Sequence, residues 1–309
     1  MTTGKLLIAN RGEIAVRICR AASEIGLQTV AVCSSDDAAS LHTRKADKVI
    51  QLSGRGVAAY LDGDAIITAA SEADATLIHP GYGFLAENAD FAHQCEAAGF
   101  TFVGPTPATL ALFGDKHAAR ALARQHDVPV LPGTAAPTTL KQAHAFFESQ
   151  GDGASVMIKA VAGGGGRGMR PVHAKAELAE AFDRCQSEAL AGFGNGDLYV
   201  ERMLSQARHI EVQIIGDGQQ ITHLWERDCS LQRRRQKLIE IAPAPNLDAG
   251  LRQVLIDASM RLATATAYRS LGTFEFLIDA AAGSYYFIEA NPRIQVEHTV
   301  TEEVTGVDL

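Results

Sequence analysis

The sequence lacks the features that announce several whole classes of protein. Its 309 residues contain five cysteines, Cys19, Cys33, Cys95, Cys185 and Cys229, an odd and scattered set without a CxxC pair. Such spacing speaks against a disulfide frame or a zinc site and reads as reduced thiols in a cytoplasmic protein. No apolar run approaches the roughly 18 residues of a membrane span. Met1-Thr-Thr-Gly-Lys leads at once into Leu6-Leu-Ile-Ala9, so no signal or transit peptide is expected. A formal charge of −8 argues against a nonspecific nucleic-acid binder. What is present is 47% hydrophobic content, enough for a large core and two or three domains.

Two familiar phosphate-binding fingerprints are also missing. The chain opens as a β-α-β unit: a strand over 5–9, a helix to about Ile25 with Ile14, Ile18, Ala21, Ala22 and Ile25 on one stripe, then a strand over 29–33. Its first turn, Asn10-Arg-Gly-Glu13, is not GxGxxG, which argues against a nicotinamide-dinucleotide domain. Alternation of α and β runs on to Phe100-Thr-Phe-Val-Gly104, broken by the loop His79-Pro-Gly-Tyr-Gly-Phe-Leu-Ala-Glu-Asn88, placed at the sheet edge. Pro/Gly joints at 104–107 and 128–133 mark candidate domain boundaries.

The second fingerprint fails at Gly163-Gly-Gly-Gly-Arg-Gly-Met169, where no Gly-Lys-Ser/Thr follows and Met169-Arg-Pro-Val172 reads as a returning strand. Four successive glycines cost about 0.5–1 kcal/mol each relative to alanine, so they imply positive φ or close backbone approach. A hairpin flap whose N–H groups close over polyphosphate, with Arg167 beside them, meets both needs. Beyond it come a helix near 175–190, a strand over 198–204, and a hairpin from His209 to Trp225. In its first strand Ile210, Val212 and Ile214 face one way and His209, Glu211 and Gln213 the other, a face polar enough to line a site, which viewed alone reads more often as solvated sheet.

The most telling pattern is the last hairpin. Phe274, Phe276 and Ile278 alternate with Thr273, Glu275 and Leu277, and Tyr286, Ile288 and Ala290 with Tyr285, Phe287, Glu289 and Asn291. If Asp279 pairs with Tyr285, Glu275 falls opposite Glu289. At about 5 Å and an effective dielectric of about 20, that repulsion is on the order of 3 kcal/mol and calls for a compensating charge. A divalent cation on oxygen ligands, Mg²⁺ or Mn²⁺, supplies it, and neighbouring Lys or Arg or a register slip would also relieve it.

Taken together, Ile8-Ala-Asn-Arg-Gly-Glu-Ile14, His79-Pro-Gly-Tyr-Gly-Phe-Leu85, the glycine run to Met169, Glu226-Arg-Asp-Cys-Ser230, Gln232-Arg-Arg234 with Gln236-Lys237, and Glu289-Ala-Asn-Pro-Arg-Ile-Gln-Val-Glu-His298 resemble the biotin carboxylase component of biotin-dependent carboxylases along the whole chain. The resemblance implies an α/β ATP-grasp fold, with a Rossmann-like domain over 1–114, a linker and small lid over 115–204, and an incomplete C-terminal ATP-grasp domain over 205–309. It implies ATP-dependent carboxylation of carrier-bound biotin by bicarbonate through carboxyphosphate. The implied partners are a biotin carboxyl carrier and a carboxyltransferase, as subunits or domains, and a second copy in a homodimer, with no nucleic acid and no membrane. Biotin itself is not attached to this segment.

Carried over by position, the resemblance puts Lys116 and Lys159 on the nucleotide phosphates, with Gly163, Gly164, Gly165, Gly166, Arg167 and Gly168 as the flap. Glu201 and His209 fall at the ribose, Met169 and Leu204 near the adenine, and Gln232 also at the nucleotide. Glu275, Glu289 and Asn291 become the metal ligands. Lys237, Arg293, Gln295 and Val296 hold bicarbonate, and Glu297 is its base. Three departures stand out: Ala162 where the glycine run usually begins, Arg235 where a histidine is common, and an end at Leu309 where the family continues, with an arginine on the biotin enolate further on. Arg235 is expected to reach a phosphate or Glu201. A carbamoyl-phosphate synthetase-like ligase and a catalytically incomplete nucleotide-binding fragment are the rival readings.

Overall fold

The computed structural model describes residues 4–151, 153–162, 168–233, 235–280 and 282–309, which form three sheets. The first is parallel and comprises β1 (Lys5–Ile8), β2 (Gln28–Cys33), β3 (Lys48–Gln51), β4 (Leu77–His79) and β5 (Thr101–Phe102), in the order β3-β2-β1-β4-β5. Crossover helices cover both faces, so Leu6, Leu7, Ile8, Val30 and Ile78 are all buried, as near-continuous apolar runs require. The first helix, Gly12–Glu24, buries Ile14, Ile18 and Ala22. Ile25 departs from the expected stripe: it is the C-cap residue and 67% exposed.

The loop 79–88 leaves the carboxyl end of β4, which lies inside the sheet between β1 and β5, not at its edge. Asn10 pins it by donating Nδ2 to the carbonyls of Pro80 (2.6 Å) and Tyr82 (2.8 Å). Gly81 sits between them at φ +66, where an added Cβ would meet Asn10 Nδ2 at 2.9 Å, so both conformation and space demand glycine. Asn88 then caps the helix Ala89–Ala97 and fixes the direction in which Glu87 leaves the loop.

The second sheet is small and antiparallel: β6 (Val156–Ala160), β7 (Met169–Val172) and β8 (Leu198–Arg202), in the order β7-β6-β8. The helix Leu178–Phe193 packs Leu178, Phe182 and Cys185 on it. The third sheet runs β11-β10-β9-β12-β13, with β9 Ala207–Asp217, β10 Ile221–Arg233, β11 Gln236–Ile241, β12 Arg269–Asp279 and β13 Ser284–Asn291. One face buries Ile210, Val212, Ile214, Phe274, Phe276 and Ile278 against the helix Ala249–Ala265. Each large apolar side chain contributes roughly 1.5–3 kcal/mol. Phe113, Ala119, Ala123 and Val128 join the same core, which seats the helix Lys116–Gln125 on β13.

The last hairpin differs from its expected pairing at one end and agrees at the other. Asp279 pairs with Ser284, one residue short of Tyr285, and a bulge between Phe276 and Glu275 takes up the extra residue, so Glu275 still faces Glu289. The bulge also switches the alternation in β13: Phe287 and Ala290 both lie in the core.

Candidate functional site

The site grows from one row of residues across the third sheet. Arg227 on β10 pairs with Glu211 on β9, Glu211 with Glu275 on β12, and Glu275 with Glu289 on β13. All four side chains therefore point the same way, to the face opposite the phenylalanines. That face is not solvated: Glu211 is 0%, Gln213 1% and Glu275 3% exposed. Carboxylates so buried require partners.

Lys237, on β11, supplies the central one. Its ammonium donates to Glu211 Oε2 (2.5 Å), Glu275 Oε1 (3.0 Å) and Glu297 Oε1 (2.6 Å), so its three N–H bonds are divided among three carboxylates. Burial would lower the lysine, yet Glu275 and Glu211 outweigh it and hold the ammonium well above its usual range. Burial likewise would raise Glu297 and Glu275. Lys237 keeps Glu297 below the ordinary carboxylate range, and Lys237 with His209 keeps Glu275 far below it.

Around Glu275 the shell is complete. His209 Nε2 lies 2.6 Å from Glu275 Oε2, Asn291 Nδ2 donates to Oε1 (2.6 Å), and Gln295 Nε2 adds a longer bond (3.2 Å). Gln232 reaches His209 Nδ1 at 2.8 Å and orients the ring. Protein cations thus meet part of the compensation that the facing carboxylates call for, as the sequence left open. They do not meet all of it, because Glu289 is still pushed upward by its surroundings and by the facing Glu275, with Lys116 Nζ 3.8 Å away. A pair of facing carboxylates, one incompletely neutralised, beside an Asn oxygen fits a hard divalent cation.

Arg293 follows β13 and is held from three sides: by Glu87 of the first domain's loop, by Asn291 Oδ1 (3.2 Å) and by the Ile294 carbonyl (3.2 Å). Val296 is 61% exposed and Glu297 buried one residue later, so the loop turns from solvent into the site between them.

A second cluster lies by the small sheet. Asp115 caps the helix Lys116–Gln125 and so sets Lys116 in its first turn. Lys159 on β6 is ion-paired with Glu201 on β8, and Arg120 NH1 donates to the other oxygen of Glu201 at 2.8 Å. The Glu201 carboxylate is therefore engaged within the protein, and Arg235 does not pair with it. Arg235 NH1, just before β11, donates instead to the carbonyl of Met169 at the start of β7 (3.1 Å). Gly168, at φ +67, leaves room for Ala160, whose Cβ an added side chain would meet at 2.8 Å. Leu204 lies just past β8 and is half-buried. Gly163 to Gly166 and Arg167 lie outside the described residues.

Four residues of this array, Glu211, Arg227, Arg120 and Glu87, were not singled out from sequence. Glu211 carried a signal, since it sits on the polar face of a strand whose other face is wholly apolar. Arg227 lay inside the Glu226-to-Ser230 motif and Glu87 inside the loop 79–88, but neither was given a role, and Arg120 carried no signal.

Residues 2–110 match the family described as the biotin carboxylase N-terminal domain, and residues 115–309 that of the carbamoyl-phosphate synthase L chain ATP-binding domain. The solved biotin carboxylase of Campylobacter jejuni is 43% identical and superposes with a TM-score of 0.95 over 99% of this chain and 68% of its own. This chain belongs to the biotin carboxylase family. The biotin carboxylase domain of Hydrogenobacter thermophilus 2-oxoglutarate carboxylase, solved as a dimer with MgADP and bicarbonate, is 42% identical with a TM-score of 0.95 and the same coverage. Among curated relatives, human mitochondrial pyruvate carboxylase is 53% identical over 310 residues, 99% of this chain. The chain spans about a quarter of that relative's length, 26%. No described helix is long and apolar enough to cross a membrane.

Proposed function

We propose that the chain carries the step in which bicarbonate is activated by ATP, as carboxyphosphate, and passed to biotin on a carrier. The observation that carries this reading is the Lys237 ammonium, which joins Glu297 and Glu275 in one buried array. Glu297 is kept ionised at neutral pH, so it accepts the proton of bicarbonate as that weak nucleophile attacks the γ-phosphate. The planar Arg293 guanidinium orients the anion, exchanging Glu87 for it, with Gln295 and Val296 alongside. Lys116 and Lys159 take the nucleotide phosphates, and His209 with Gln232 stands at its ribose. A divalent cation held by Glu275, Glu289 and Asn291, Mg²⁺ or Mn²⁺, would neutralise charge on the transferring phosphoryl group. The small sheet and its glycine loop exclude water while carboxyphosphate persists.

The same reading divides the chain at 114 and 204, pairs it with a carrier, a carboxyltransferase and a second copy, and places it in the cytoplasm. The compartment rests on the five cysteines, which among the described residues are buried and free. The test is ADP release by the intact protein with and without bicarbonate, beside transfer of radiolabelled bicarbonate to biotin. Glu297→Gln is expected to lower both by about 10²-fold or more. ADP release that ignores bicarbonate would sink the reading. Carboxylation of ammonia instead of biotin would favour the synthetase-like alternative, against which the match of residues 2–110 to the biotin carboxylase N-terminal family counts.

A further inference from the structure

Arg227 is entirely buried and lies in the row of site carboxylates, yet nothing in the reading above gives it a task. Its guanidinium has five N–H bonds and all five are placed. Nε donates to Glu211 Oε1 (2.5 Å), NH1 to Gln213 Oε1 (2.9 Å) and Thr301 Oγ1 (2.7 Å), and NH2 to Gln295 Oε1 (2.9 Å) and, more weakly, Thr273 Oγ1 (3.4 Å). The partners come from β9, β12, the loop after β13 and the helix His298–Thr305.

Two of these bonds decide what the site presents. Because Arg227 takes one oxygen of Glu211, the other is left for Lys237 at 2.5 Å, which aims the ammonium between Glu211 and Glu297. Because Arg227 takes the Gln295 oxygen, the Gln295 amide nitrogen must turn to Glu275 (3.2 Å). A neutral amide has no preference of its own between these orientations, whereas a guanidinium only donates and so pairs with the amide oxygen, not with its nitrogen. The bond to Thr301 adds a third constraint, tying down the helix that begins directly after Glu297.

We infer that Arg227 is a positioning residue for bicarbonate activation: it selects the amide orientation of Gln295 and, through Glu211, the direction of Lys237. The inference rests on the function proposed above. Lysine at this place keeps the charge but has three donors on a flexible stem, so it cannot satisfy the same planar set. The five bonds of Arg227 go to Glu211, Gln213, Thr301, Thr273 and Gln295, none of which the proposed function places at the nucleotide phosphates, so its effect is expected on bicarbonate.

Arg227→Lys and Thr301→Val in the intact protein separate this role from a merely structural one. For Arg227→Lys we expect the KM for bicarbonate to rise by about tenfold or more and kcat to fall, while the KM for ATP stays within about twofold. Thr301→Val, which removes one acceptor at nearly constant volume, should fold and show the same split at smaller amplitude. In a cycle with Glu211→Gln, the double variant should be little worse than the worse single. A lowered melting point with unchanged bicarbonate kinetics in the folded variants, or equal effects on both substrates, would overturn the inference. If Arg227→Lys does not fold, Thr301→Val decides by the same criterion. Wild-type protein whose ADP release ignores bicarbonate fails the proposed function itself, a result distinct from any of these.

Discussion

In the parallel sheet, β1, β2 and β4 bury Leu7, Ile8, Val30 and Ile78 on both faces; in the long antiparallel sheet, β9 and β12 bury Val212 and Phe274 on one face and Glu211 and Glu275 on the other. Both are dry, but only the second is charged. Its ionised face survives because Arg227, Lys237 and His209 stand within hydrogen-bond distance of its carboxylates. The difference teaches that burial alone does not mark a core: the parallel sheet holds together by area removed from water, and the antiparallel site by a closed set of charge-assisted bonds.

The sharpest way to break that comparison is to remove one member of the closed set. Arg227→Met leaves Glu211 buried beside one fewer cation and is expected to cost about 3–5 kcal/mol, most of it recovered by adding Glu211→Leu. Urea unfolding of the single and double variants measures it. A double variant no better than the single would mean the pair is not a unit. For the parallel sheet the expectation is different in kind: Leu7→Ala should cost about 2–5 kcal/mol through its cavity and leave ATP affinity of the folded fraction unchanged. Altered affinity there would show the first sheet to be part of the site and not only its platform.

Next in size are the two facing carboxylates, which the structure makes unequal. Glu275→Gln strips a partner from both Lys237 and His209 and should destabilise the metal-free protein by about 1–3 kcal/mol. Glu289→Gln removes the charge that its surroundings disfavour and should fall within about 0.5 kcal/mol of wild type, or above it. Both should weaken magnesium-dependent ATP binding. Thermal melts without metal, with the order of the two reversed, would contradict the assignment of Glu289 as the incompletely neutralised member.

The smallest effect concerns His209. Burial would lower its pKa, but Glu275 raises it overall, so the folded value lies above the unfolded value of about 6.5. The stabilisation is therefore fully present below about pH 6.5 and is lost as pH rises through the folded value. Metal-free wild type should lose stability across that interval relative to His209→Asn. Parallel curves for the two proteins would show the histidine to be unpaired in solution.

The sequence was legible wherever a local period carried the information. Alternation marked β9, β12 and the apolar run of β1, glycine and proline marked the loop at 79–88, and the facing of Glu275 and Glu289 followed from counting residues. Counting was right for a reason it did not contain, since the hairpin starts one residue off and the bulge in β13 restores the pair. The fate of Ile25 was not legible, because a helix stripe does not say where the helix stops.

By itself, the sequence determined the order of elements, the oxygen-rich character of the last hairpin and the family, since strand period, turn chemistry and motif spacing are all short-range properties. Only the tertiary structure decided which charged and polar groups meet. Arg120 and Glu201, Arg227 and Gln295, and Glu87 and Arg293 are 81, 68 and 206 residues apart. Each is brought together by strand order or by the docking of one sheet on another. A carboxylate in water needs no particular neighbour, but one buried between strands must have one, and the packing chose it.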